Sequence, residues 1–157
     1  MRTTCMVMLI VLCAVFLAFC MASTGLTRAA TDAVKMLDLP PLAMMLAVIA
    51  FYLVLGCFME PISMMLTTAP VFIPIVVSLG YSPVWFGVMF MILSEAGLIT
   101  PPIGVNLFVV QSVRGRGSIQ DVINGSMPFL VAMLGVVALL LAWPELALWL
   151  PGAVGKR

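Results

Sequence analysis

Hydrophobic positions run along this chain in long blocks, separated by single charges and by prolines. Uncharged stretches cover 3–27, 39–59, 61–94, 96–113 and 122–144. A bilayer core of about 30 Å takes roughly 20 apolar residues per helical span, so most of these stretches are long enough to cross it or enter deeply. Arg2 precedes an apolar run, Cys5–Ala22, and Ser23-Thr24-Gly25 after it is a weak cleavage context. A retained span over 5–25 is therefore favoured over a signal peptide, whose apolar region is shorter. Over 28–39, Val34, Met36, Leu37 and Leu39 alternate with Arg28, Asp32, Lys35 and Asp38. A short arm helix lying at the membrane interface suits that pattern, and a solvated loop suits it equally.

Two later blocks are interrupted. Pro40-Pro41 open Leu42–Cys57, Gly56 to Pro61 bring a glycine, the acid Glu60 and a proline together, and Ile62–Leu79 follows with Pro70 and Pro74 inside. Both blocks are short for a full span. The pattern predicts a re-entrant hairpin over 42–79 with its tip inside the membrane; two ordinary short spans are the alternative. The stretch 84–113 is too long for one straight span and is cut by Thr100-Pro101-Pro102-Ile103-Gly104. Adjacent prolines remove two backbone donors and clash with the preceding turn, and glycine permits the unwound backbone. A broken helix is predicted there, with Pro101 and Pro102 at the break. A final span over 126–150 completes the set, with Trp143 and Trp149 placed for an interface.

Composition fixes the class. The chain has 157 residues, of which 64% are hydrophobic and 8% charged. Soluble domains carry roughly 25% charged residues, so this is an all-α polytopic membrane protein in contact with the lipid bilayer. Net charge is +1 without a basic tract, which excludes nucleic acid as a partner. Histidine is absent, and Cys5, Cys13, Cys20 and Cys57 have no CxxC spacing, so no zinc or haem site is expected. The cysteines read as small packing residues. No nucleophile–base signature appears, and no enzyme activity or organic cofactor is expected. A re-entrant hairpin and a double crossing both return to their starting side. Arg2 and the Arg114/Arg116 loop therefore share a side, cytoplasmic by the positive-inside rule, with Arg28 and Lys35 outside.

Candidate chemistry sits at the two breaks. Glu60 and Glu95 are acids within otherwise uncharged sequence. An ionised residue near the bilayer centre costs about 2.5–3.5 kcal/mol on insertion scales, so each is expected to face water, a partner or a polar cavity. Capping or a loop-end position are the simpler alternatives. Glu60, Ser63, Thr67 and Thr68 gather oxygens beside the first break; Thr100, Gly104, Asn106 and freed carbonyls do so beside the second. Unwound carbonyls suit a hard cation such as Na⁺, and helix N-termini suit an anion.

The segments GCFMEPISMMLTTAPVFIPIV, SPVWFGVMFMILSEAGLITPPIGVNLFV, MPFL and WPELALWLP resemble the large permease subunit, DctM type, of TRAP (tripartite ATP-independent periplasmic) transporters, over about residues 40–151. That resemblance implies a multi-pass protein of the bacterial inner membrane. It would take up organic anions, commonly C4-dicarboxylates or sialic acid, by Na⁺ symport and alternating access. Implied partners are a small membrane subunit and a periplasmic substrate-binding protein. The implied fold is the second inverted repeat of an ion-transporter-superfamily elevator, in the C-terminal portion of the permease. Helix breaks and resemblance together point to Gly56, Thr100, Gly104 and Asn106 for the cation, and to Glu60, Ser63, Thr67 and Thr68 for the substrate. The family usually has Asp where Glu60 stands, so a polar tip is carried over and no specific ligand role. The family subunit is also far longer, so this chain is expected to be a fragment, split product or truncation. It would need the remaining N-terminal part of the permease to transport. A membrane assembly or accessory protein without transport activity is the alternative.

Overall fold

Three of the helices begin in the same way, with a proline in their first turn. Proline has no N–H to leave unpaired there and its φ is already helical. Pro41, Pro61 and Pro83 open α3 (Pro41–Gly56), α4 (Pro61–Ser78) and α5 (Pro83–Leu98). Before them lie α1 (Arg2–Ser23) and α2 (Leu26–Met36); after them come α6 (Val105–Arg114), α7 (Ile119–Ala142) and α8 (Glu145–Val154). The computed structural model describes residues 2–36 and 40–154, and among these all regular structure is helical. The end of the expected 28–39 arm, residues 37–39, lies outside the described residues. Gly25, at φ +71°, separates α1 from α2, and the two helices are bent by 69°.

By length and composition, α4 and α7 are each able to cross a membrane, and the bent α1–α2 pair counts as a third candidate. The shorter apolar helices α3 and α5 lie below that length. Pro70 and Pro74 sit inside α4, where they withhold the usual i+4 donors from the carbonyls of Leu66 and Pro70.

The last span does not run over 126–150. It begins at Ile119, because Ser118 and Asp121 form a capping box: the Ser118 hydroxyl accepts from the Asp121 N–H at 3.4 Å, and the Asp121 carboxylate accepts from the Ser118 N–H at 3.0 Å. It ends at Ala142, because Pro144 cannot continue the helix, and α8 starts as a separate element at Glu145. Pro128 is accommodated within α7.

The core is organised around α5, which packs against α3, α4, α6, α7 and α8. Trp85, Met89 and Leu93 of α5 are fully buried against Met45 and Tyr52 of α3, Met64 and Val76 of α4, and Val137 and Leu140 of α7. Tyr52 lies at the centre of an aromatic cluster, 5.1 Å from Phe72, 5.9 Å from Phe86 and 5.2 Å from Phe90 between ring centroids. At the far end of α5 the Trp85 indole donates to the Leu140 carbonyl at 3.0 Å. That carbonyl has lost its usual helical donor, since the residue four positions on is Pro144. The buried indole N–H and the orphaned carbonyl satisfy each other.

Candidate transport site at two adjoining helix breaks

The first break follows Gly56. The chain turns through Cys57 to Met59, with the N–H groups of Phe58 and Met59 both bonded to the Leu55 carbonyl at 3.0 Å. Glu60 then adopts an extended backbone, φ −75° and ψ 152°, which the following Pro61 favours. Its exposed carboxylate lies at the N-terminus of α4, where the helix dipole favours negative charge, and it accepts from the Ser63 hydroxyl at 2.7 Å. Thr67 lies one turn beyond Ser63 and is exposed. Thr68 is buried and differently engaged. Its hydroxyl donates to the Met64 carbonyl at 2.8 Å, which uses its single proton. The Tyr52 hydroxyl, also at 2.8 Å, must therefore donate to Thr68, which ties α3 to α4.

The second break follows Leu98. Thr100 closes the end of α5, donating from its backbone N–H to the Gly97 carbonyl at 3.0 Å and from its hydroxyl to the Ala96 carbonyl at 2.6 Å. Pro101-Pro102 follow, joined by a cis peptide. Gly104 is buried at φ +41°, a left-handed conformation that side chains other than glycine rarely adopt. A Cβ at Gly104 would lie 3.0 Å from the Thr100 carbonyl oxygen, so that carbonyl faces Gly104 across the loop. Asn106 is exposed in the first turn of α6. It borders a cavity of about 300 Å³ between α6 and α7, with Ile99, Val110, Arg114, Ser126 and Phe129.

The two breaks meet at a glycine pair. A Cβ built on Gly97 would stand 2.6 Å from the Cα of Gly56, and one on Gly56 would stand 3.1 Å from the Cα of Gly97. Backbone touches backbone, so the C-terminal turns of α3 and α5 are as close as two helices can come. Gly56 is thus a point of contact as well as the end of a helix. Thr100 stands three residues beyond Gly97, with its carbonyl facing Gly104. Ser63 and Thr67 climb away along α4, and Thr68 bonds to Tyr52 of α3. Glu95 lies two residues before the crossing, exposed, and among the described residues it makes no ion pair. The donors at both breaks are oxygens, chemistry that fits a hard cation better than a soft transition metal.

The family described as "Tripartite ATP-independent periplasmic transporter, DctM component" matches residues 1–146. The chain belongs to this family. Among curated relatives, it is 33% identical over 154 residues to the C4-dicarboxylate TRAP transporter large permease protein DctM of Pseudomonas aeruginosa, covering 98% of this chain and 36% of that protein. It is 31% identical over 150 residues to the sialic acid TRAP transporter large permease protein SiaM of Vibrio cholerae, covering 96% and 35%. The ectoine/5-hydroxyectoine TRAP transporter large permease protein UehC of Ruegeria pomeroyi is 34% identical over 120 residues, covering 75% and 27%. The chain thus spans about a third of the length of the curated relatives it matches. The TRAP match begins at α1, well before residue 40, where the quoted motifs start.

Three residues that hold the fold around the site, Gly97, Tyr52 and Trp85, are marked by no spacing or turn signal of their own. Gly97 sits in the run SEAGL, and only its partner across the fold shows why it has to be small. Tyr52 reads as one more apolar position of α3, although a buried phenol needs a hydrogen-bond partner, and that requirement was the available signal. Trp85 carries the same signal through its indole N–H.

Proposed function

We propose that this chain forms the part of a TRAP permease that holds the coupling cation and part of the organic-anion site. In this reading Na⁺ binds at the second break, on the carbonyls of Thr100 and Gly104, the side chain of Asn106, and the Gly56 end of α3. A C4-dicarboxylate-like anion is met by Ser63, Thr67 and the first turn of α4, while Glu60 sets the polarity of the tip. Thr68 is the least available of the four, since its proton is committed to Met64 and it takes one from Tyr52. The re-entrant hairpin is α3–α4, the broken helix is α5–α6, and the pair moves as one unit of an elevator-type repeat during alternating access. The cycle runs in the bacterial inner membrane with the rest of the permease, the small membrane subunit and a periplasmic substrate-binding protein.

The observation that supports this reading best is the Gly56–Gly97 crossing. It brings together the ends of α3 and α5, the points at which the two breaks begin, and broken membrane helices hold ions and anions at such ends. The test is uptake into proteoliposomes by this chain co-expressed with the missing permease portion and both partners. Na⁺-dependent uptake that weakens in Na⁺ affinity in Asn106→Ala supports the cation site; unchanged Na⁺ affinity refutes it. Uptake that proceeds equally well when this chain is omitted favours an accessory role instead.

A further inference from the structure

The corner between α7 and α8 carries a cleft that the transport reading does not use. With the Leu140 carbonyl satisfied by Trp85, α8 folds back onto α5 and turns Ala147 and Leu148 toward the core. Glu145, Leu146 and Trp149 then point away from it, with Glu145 and Trp149 one helical turn apart. Together with Leu139 and Trp143 at the end of α7, they bound an open cleft of about 580 Å³. Trp143 is 63% exposed and Trp149 73% exposed. Glu145, the one ionisable group in the lining, has no ion pair among the described residues.

Two indole faces and a lone carboxylate form a cation site, since indoles attract ammonium groups through their π faces and the carboxylate supplies the counter-charge. The same carboxylate repels a headgroup that carries only phosphate. Leu139 and Leu146 make the rest of the lining apolar, and the cleft adjoins the membrane-length helix α7 at an end marked by tryptophans, the level of lipid headgroups. We propose that the cleft binds a zwitterionic amine phospholipid. Its ammonium lies on Glu145 between Trp143 and Trp149, and its upper acyl carbons lie against Leu139 and Leu146. A lipid fits better than a soluble amine because a soluble amine would leave those two leucines uncovered.

The test uses the chain in nanodiscs of phosphatidylglycerol, alone or mixed equally with phosphatidylethanolamine. Tryptophan emission is followed with acyl-brominated versions of each lipid as quenchers. Trp85 is buried, so Trp143 and Trp149 dominate the quenching. Brominated phosphatidylethanolamine is expected to occupy the cleft in preference to brominated phosphatidylglycerol by roughly fivefold, the ratio that about 1 kcal/mol of attraction between the Glu145 carboxylate and the ammonium gives. Glu145→Gln should reduce that preference to near unity. Trp143→Tyr, which keeps an aromatic face, should retain most of it and guards against misfolding of the acidic variant. Equal quenching by the two lipids, or a preference that survives in Glu145→Gln, overturns the proposal. So does displacement of the brominated lipid by millimolar ethanolamine, which would assign the site to a soluble amine.

Discussion

Substituting Gly97 by alanine tests the crossing directly. The new methyl carbon would lie 2.6 Å from the Cα of Gly56 and 2.7 Å from its carbonyl carbon. Ordinary carbon–carbon contact is about 3.5–4.0 Å, so α3 and α5 would have to part by about 1 Å where they cross. The obstacle is backbone, so no rotamer change relieves it. Overpacking of this kind costs about 1–3 kcal/mol. Against this, alanine is favoured over glycine in a helix by about 0.8–1.0 kcal/mol, less near a helix end. With that smaller gain a net loss of about 0.5–2 kcal/mol remains, a fall in Tm of roughly 1–8 °C for a chain of this size. Cys57, buried beside the crossing, is the natural reporter. With Cys5, Cys13 and Cys20 replaced by alanine, a thiol-reactive dye should label Cys57 only as this packing opens. The control is Gly87→Ala, where the added methyl meets nothing within 4 Å and the helix gains. If Gly97→Ala melts at or above Gly87→Ala, the close approach of α3 and α5 is wrong.

Other substitutions separate local effects in the same way. Tyr52→Phe removes one hydrogen bond and leaves Thr68 bonded to Met64, so a loss of about 0.6 kcal/mol is expected, typical of bonds between membrane helices. Thr68→Val strands a buried phenol and should cost more, about 1–3 kcal/mol; thermal melts in the opposite order would refute the buried Tyr52–Thr68 bond. Gly104→Ala, at φ +41° with Leu107 and Thr100 in the way, should lose more stability than Gly115→Ala, at φ +63° in open space, where only the conformational cost of about 1–2 kcal/mol applies. Ser118→Ala should speed hydrogen exchange in the first turn of α7 and cost about 0.5–2 kcal/mol. Arg114→Ala should stay within about 0.5 kcal/mol of wild type, because its pairing with Asp121 is exposed and 4.0 Å long.

The two helix breaks were legible in the sequence because proline acts locally: Pro61 and Pro101-Pro102 constrain their own neighbours whatever the tertiary fold. The start of α7 was misplaced because Asp121 reads as part of a polar loop, whereas its carboxylate closes a capping box that only the backbone geometry reveals. That the breaks adjoin was not legible at all. Gly56 and Gly97 belong to different helices, and no periodicity within either one says that their backbones touch. Thr67 and Thr68 look equivalent in sequence, yet the helical turn exposes one and turns the other toward Tyr52.

The Trp85–Leu140 bond places a constraint on substitution. Pro144 withholds the donor that Leu140 would otherwise receive, and Trp85, 55 positions from Leu140, makes up for it. With alanine at 144 the helix could continue and its own N–H would claim the carbonyl, leaving the indole N–H without a partner inside the core. With phenylalanine at 85 the carbonyl would be orphaned instead. Neither residue can be exchanged alone without burying an unpaired polar group, so relatives that lack one are expected to lack the other.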